Sequence, residues 1–183
     1  MTPGSLRLGV LVGDGIGHEI VPATRRVVDT AVAAAGEAPI DWAPLPIGFD
    51  AIAECGTPVP DSTLDALTEL DGWVLGPHDS AAYPDAFRGQ LPPGGAIRKR
   101  FDLFANIRPA QALPGVRAVV PEMDLVIVRE NTEGFYADRN MHVGGGEFMP
   151  TPDVALAVAV FTRGACERIA HTACELAGRR RGR

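Results

Sequence analysis

The chain has 183 residues, 46% of them hydrophobic and 22% charged, with a net charge of −6. That charge excludes a general nucleic-acid binder, which needs a basic face against phosphates, and no apolar run approaches the ~20 residues of a membrane helix. The N-terminal M-T-P-G-S-L-R has no basic segment leading into an apolar one, so no signal peptide is predicted; Cys55, Cys166 and Cys174, with no C-x-x-C pair, point to reduced thiols in a cytoplasm.

Leu6 to Val12 reads as a buried strand. A helix follows from about His18 to Ala35, with Ile20, Val27, Val28, Ala31 and Ala35 at helical spacing and Gly36 as its stop. Pro22 falls near its first turn, where a missing N–H costs little. A second strand is predicted at 40–45, then a short helix over Phe49–Cys55 closed by Gly56. A third helix, capped by Asp61 or Ser62, runs to about Leu70. D-G-W-V-L-G-P reads as turn, strand and loop. Strands alternating with helices in this way predict βαβ units and a largely parallel sheet.

Residues 76–95 carry Pro and Gly repeatedly and are predicted to be mostly loop, of a kind that often carries function. F-A-N-I-R-P-A and D-L-V-I-V-R-E-N read as extended segments. Residues 154–161 alternate with period two and predict a strand with unequal faces. Arg163–Gly178 reads as a last helix with Cys166, Ile169, Ala170 and Ala173 on one face. Cys166, His171 and Cys174 share that helix, but no fourth zinc ligand is evident. Small buried side chains are therefore favoured over a metal site.

Residues 12–19, V-G-D-G-I-G-H-E, lie between strand and helix, where a dinucleotide fingerprint would be. The spacing is G-x-G-x-G, with His18 in the place of the third glycine, and no Walker lysine follows. The stretch is a tight bend whose N–H groups are free for a ligand, and a purely structural turn is an equally good reading. Arg98, Arg108 and Arg129 each stand in a short loop or at the end of an apolar strand. Presented at one end of a parallel sheet, they would form a bidentate clamp for a di- or tricarboxylate. Tyr136 would join them as a proton donor. Spacing alone favours surface salt bridges for the same arginines.

G-D-G-I-G-H-E (13–19), I-R-K-R-F-D-L-F-A-N-I-R-P (97–109) and V-R-E-N-T-E-G-F-Y (128–136), in that order, resemble the β-decarboxylating dehydrogenases. That family comprises isocitrate, isopropylmalate, homoisocitrate and tartrate/D-malate dehydrogenases. The resemblance runs from about Leu6 to the last residue. It implies an α/β fold of the isopropylmalate dehydrogenase type, with parallel or mixed sheets and flanking helices, incomplete at the C-terminus. Residues 1–104 would be part of the cofactor-side domain, and 105–183 part of a substrate and dimerisation domain. Missing strands would leave unpaired edges and exposed apolar area.

The same resemblance implies site roles. Arg98, Arg108 and Arg129 would bind the carboxylates of a malate moiety. Tyr136 would protonate the enol left by decarboxylation. Ile16, Gly76, Pro77 and His78 would contact NAD or NADP. The reaction implied is oxidative decarboxylation of a (2R)-2-hydroxy acid, a 3-substituted malate, with Mg or Mn as Lewis acid and a homodimer as the full-length form. His78-Asp79-Ser80 is no catalytic triad, because adjacent side chains diverge.

The family's catalytic lysine and metal aspartates match nothing in this sequence, and Lys99, the single lysine, lies beside a clamp arginine. The chain alone is therefore expected to lack metal ligands and to be inactive. The alternative is a non-catalytic regulatory subunit or paralogue that binds a carboxylate effector. Residues 92–96, Pro-Pro-Gly-Gly-Ala, fit neither the hydroxyl- and amide-bearing turn of isocitrate enzymes nor the leucines of isopropylmalate enzymes. R-E-N-T-E-G is closer to the isocitrate, homoisocitrate and tartrate branches. The substrate within the malate class stays open.

Overall fold

In the computed structural model, which describes residues 5–87, 90–134 and 144–182, β1 (Arg7–Leu11) is the middle strand of a parallel sheet ordered β2–β1–β3. β2 is Asp41–Pro44 and β3 is Gly72–Leu75. Leu8 stands opposite Trp42 on one side and Gly72 on the other. Parallel neighbours need crossovers. α1 (Gly17–Ala34) supplies the first, and α2 (Phe49–Cys55) with α3 (Asp61–Thr68) the second. α1 leads from β1 out to β2, and α2 with α3 leads back from β2 past β1 to β3; crossovers of the usual right hand that run in opposite directions lie on opposite faces of the sheet. Leu67 at the end of α3 and Leu70 just after it lie so close to Gly9 that any side chain there would press on them.

The chain divides into two compact units, Met1–Arg100 and Phe101–Arg183. The core of the first is Leu11, Val21, Ile47, Ala51, Leu67 and Ile97. On α1 only one side is covered. Val21 is buried, whereas Val27, placed by its spacing on the inner face, is 69% exposed. The indole N–H of Trp42 on β2 donates to Asp29 of α1 at 2.8 Å. Pro22 lies one turn deeper than expected, inside α1 and on its exposed side. Neither Asp61 nor Ser62 caps α3: the helix starts at Asp61 with Pro60 as the preceding residue, and no side chain bonds its first N–H groups. The Pro/Gly-rich stretch is not all loop. Pro93–Arg100 forms a helix, α4, started by a proline at its first position and tolerated because Gly94 and Gly95 are buried, where closeness matters more than propensity.

The second unit contains β4 (Ala105–Gln111) and β5 (Asp124–Glu130) as an antiparallel pair, and β6 (Glu147–Thr151) with β7 (Val154–Ala157) as another. α5 (Arg163–Gly178) packs on β5. The strand expected over 154–161 stops at Ala157, and neither face of it is buried. Only Val160 pairs again, in a lone bridge with Gly134. Exposed apolar area is large: Ile127 and Phe148 are each 55% exposed. All three cysteines are exposed, so Cys166 and Cys174 are not the small buried side chains expected.

α5 begins where Thr162 is held. Its hydroxyl accepts the N–H of Ala165, while its own N–H and O–H donate to the Glu133 carboxylate, each at 2.8 Å. Thr162→Ala is expected to lower the stability of the chain by about 1 kcal/mol, read as a shift in the urea midpoint, with Thr162→Ser restoring most of it. Further along the helix, Arg168 donates to Asp102 (2.8 Å) and to the Thr132 hydroxyl (2.7 Å), and its guanidinium lies 4.5 Å over the Phe104 ring. One side chain thus ties the entry of β4, the exit of β5 and α5 together.

Candidate functional site

The bend after β1 is organised around Asp14, which is 4% exposed. Its carboxylate accepts three hydrogen bonds: from the N–H of Phe49 (2.7 Å), the N–H of Asp79 (2.8 Å) and the hydroxyl of Tyr83 (2.6 Å). Its own N–H donates to the carbonyl of Pro77 (2.7 Å). Burial first, and then the hydrogen bond to Asp14, push the Tyr83 hydroxyl well above its usual pKa, so it remains a donor. Tyr83 also meets the Phe49 ring edge-on, with centroids 4.9 Å apart. The glycines of the bend serve this closeness. A Cβ on Gly13 would lie 2.0 Å from the carbonyl oxygen of Pro77, and one on Gly17 2.2 Å from that of Val12.

Among the residues expected to meet a dinucleotide, Ile16 is exposed at the start of α1. Gly76 is buried against Val12, and the carbonyl of Pro77 is taken by Asp14. His78 is half-buried, with its ring against Gly94. Burial lowers its pKa; the Asp14 carboxylate opposes that shift and the Arg98 guanidinium adds to it. Gly76 and Pro77 take part through packing inside the bend.

Arg108 and Arg129 lie on β4 and β5, which run antiparallel, so they are not presented at one end of a parallel sheet as expected. The register nevertheless puts them together. Asn106 faces Arg129 and Arg108 faces Ile127, which makes the two arginines diagonal neighbours on one face, roughly 7–8 Å apart at their Cα atoms. The Arg108 Nε donates to the Asn106 side chain at 3.1 Å. Both arginines are exposed. Arg129 also borders a cavity of about 340 Å³ lined by Glu133, Phe161, Cys166 and Ile169. Arg98 belongs to the first unit, on α4 and half-buried. Tyr136 lies outside the described residues.

Among the described residues no group of three His, Cys, Asp or Glu side chains is placed to hold a metal ion, and none of the helices is long and apolar enough to cross a membrane. Asp14, Tyr83 and Arg168 escaped the reading of the sequence. Only Asp14 carried any signal, as the acidic residue between two glycines.

The sequence as a whole has clear relatives. It is 37% identical over 178 residues to the isocitrate/homoisocitrate dehydrogenase of Thermus thermophilus, covering 93% of this chain and 46% of that protein. It is 34% identical to the 3-isopropylmalate dehydrogenase of Methanothermobacter thermautotrophicus, covering 94% and 46%, and 31% identical to a probable tartrate dehydrogenase/decarboxylase of Bacillus subtilis, covering 99% and 51%. The crystal structure of isocitrate dehydrogenase from Methylococcus capsulatus superimposes with a TM-score of 0.72 at 31% identity, over 95% of this chain and 48% of that one. The chain therefore spans about half the length of the relatives it matches. A family model described as isocitrate/isopropylmalate dehydrogenase matches residues 7–183, and with the glycine bend, the α4 arginine and the β4–β5 arginine pair inside that span, the chain belongs to the isocitrate/isopropylmalate dehydrogenase family.

Proposed function

We propose that the chain binds the carboxylates of a (2R)-2-hydroxy acid of the 3-substituted malate class for NAD- or NADP-dependent oxidative decarboxylation. The observation that carries this reading is the pair of exposed guanidiniums, Arg108 and Arg129, aligned on one face of β4–β5 within a segment that matches the family. Each is a planar fork suited to a carboxylate. Arg98 on α4 carries the same kind of fork and is proposed to take a carboxylate as well. Held this way, the substrate loses its freedom to rotate before any bond changes, which is where much of the rate comes from. The dinucleotide, when bound, supplies the hydride acceptor, and Ile16 and His78 are the side chains that this reading places against it. Tyr136 is assigned the proton that the enol carbon takes up after carbon dioxide leaves. Mg or Mn, the family's Lewis acid, finds no ligand set among the described residues, and no step is assigned to it.

The test is a calorimetric titration of the 183-residue chain with isocitrate, tartrate, D-malate and 3-isopropylmalate. At least one is expected to bind, and Arg129→Ala to weaken it ten-fold or more, as the loss of about 1.5–3 kcal/mol from a charged hydrogen bond requires. Absence of binding by all four, or binding indifferent to Arg108, Arg129 and Arg98 alike, overturns the reading. NAD reduction by the chain alone is measured in parallel and is expected to be nil.

A further inference from the structure

We infer that His78 reads the part of the substrate beside the carboxylate held by Arg98, and that it selects an oxygen-bearing substituent, hydroxyl or carboxylate, over an alkyl one. This rests on the carboxylate-binding role proposed for Arg98.

The imidazole lies across the first turn of α4. A Cβ on Gly94 would be 2.8 Å from its Cε1 and 3.5 Å from its Nε2, so only a glycine admits the ring there. Gly94 and Arg98 are one helical turn apart, on the same face of α4. The ring and the guanidinium are thus neighbours, and the charge of Arg98 acts on the imidazole. The loop that carries His78 is fixed immediately afterwards by the bond from the N–H of Asp79 to Asp14. A side chain mounted this way is positioned before any ligand arrives.

Its chemistry follows from its surroundings. Nδ1 is sealed from solvent and has no hydrogen-bond partner. A protonated ring would bury an unpaired N–H there and add a second positive charge beside Arg98. The Asp14 carboxylate, the nearby anion, already accepts from three donors. The ring therefore stays neutral and carries its proton on Nε2, giving one N–H donor next to the guanidinium. The turn below it, Pro93-Gly94-Gly95, is buried and offers no large apolar side chain to line a chamber for an alkyl group. An oxygen substituent pairs with the donor. An alkyl one leaves the donor unpaired and gains little contact, and sites built around a hydrogen bond discriminate strongly against analogues that lack it.

The experiment compares affinities of the 183-residue chain for tartrate, isocitrate and 3-isopropylmalate. Tartrate or isocitrate is expected to bind at least ten-fold more tightly than 3-isopropylmalate. His78→Met, which has no donor, should shrink that ratio ten-fold, and His78→Gln, which keeps one, should preserve most of it. Arg98→Ala should weaken all three ligands without changing their order. A ratio that is already near one, or that is the same in the Met and Gln variants, overturns the inference while leaving carboxylate binding in place. If none of the three binds, the inference falls together with the functional reading.

Discussion

Asp14→Ala is expected to remove about 3–5 kcal/mol of stability, because three donors on two separate segments lose a buried acceptor at once. A single neutral hydrogen bond is worth about 1 kcal/mol net, but a donor left unpaired in a dry site costs its full desolvation. Two of these donors are backbone N–H groups that have no other acceptor within the bend. Asp14→Asn is expected to do nearly as badly: an amide has one acceptor oxygen, and its NH2 would face another donor. Tyr83→Phe removes one of the three bonds and should lower stability by about 1–2 kcal/mol. Urea unfolding monitored by circular dichroism measures all three. A loss below 1 kcal/mol for Asp14→Ala would mean that the bend holds itself without the carboxylate.

Gly76→Ala is expected to be comparably severe, at roughly 3 kcal/mol or more. Its added Cβ would lie 1.8 Å from the carbonyl oxygen of Val12 and 2.7 Å from the carbonyl carbon. Those are backbone atoms at the end of β1, and Gly76 is itself tied to β1 by a 2.7 Å bond from its N–H to the Leu11 carbonyl. The third neighbour, the Cγ2 of Val21 at 2.9 Å, belongs to a buried side chain with nowhere to swing, so relief requires β1 and β3 to separate. Gly36→Ala is the matched control. Its φ of +73° strains an alanine, but no atom lies within 4 Å of the added Cβ, and its loss should be limited to about 1–2 kcal/mol. Gly76 has no positive φ, so a loss no larger than that of Gly36→Ala would show that β1 and β3 accommodate the added Cβ with little crowding cost.

What was legible in the sequence followed from local chemistry. α2 and α5 are legible to the residue, because Gly56 adopts φ +72° to stop one and proline-free helical periodicity, capped by Thr162, carries the other. The parallel arrangement of β1 with its neighbours followed from the alternation of strand and helix. α4 was missed because Pro-Gly-Gly is a turn signal on its own, and only the buried packing of Gly94 and Gly95 converts it into a helix. The antiparallel pairing of β4 with β5 was missed because it depends on which strands meet, not on either strand's pattern. Register, not strand direction, puts Arg108 and Arg129 on one face. Asp14 was invisible as an organiser: its partners lie at positions 49, 79 and 83, and no local rule joins them.

Arg168 has a consequence for how this chain comes into being. A two-stranded ribbon is at best marginal by itself in water, and β4–β5 is tied to the rest of its unit through a residue near the end of the chain, 66 positions from Asp102. On a ribosome, which releases the N-terminal segments first, both ribbon arginines emerge long before the helix that holds their strands in register. The face that carries Arg108 and Arg129 should therefore mature only after synthesis has passed residue 178, and a released chain ending near residue 150 should show protease-sensitive β4–β5 although both of these arginines are already present.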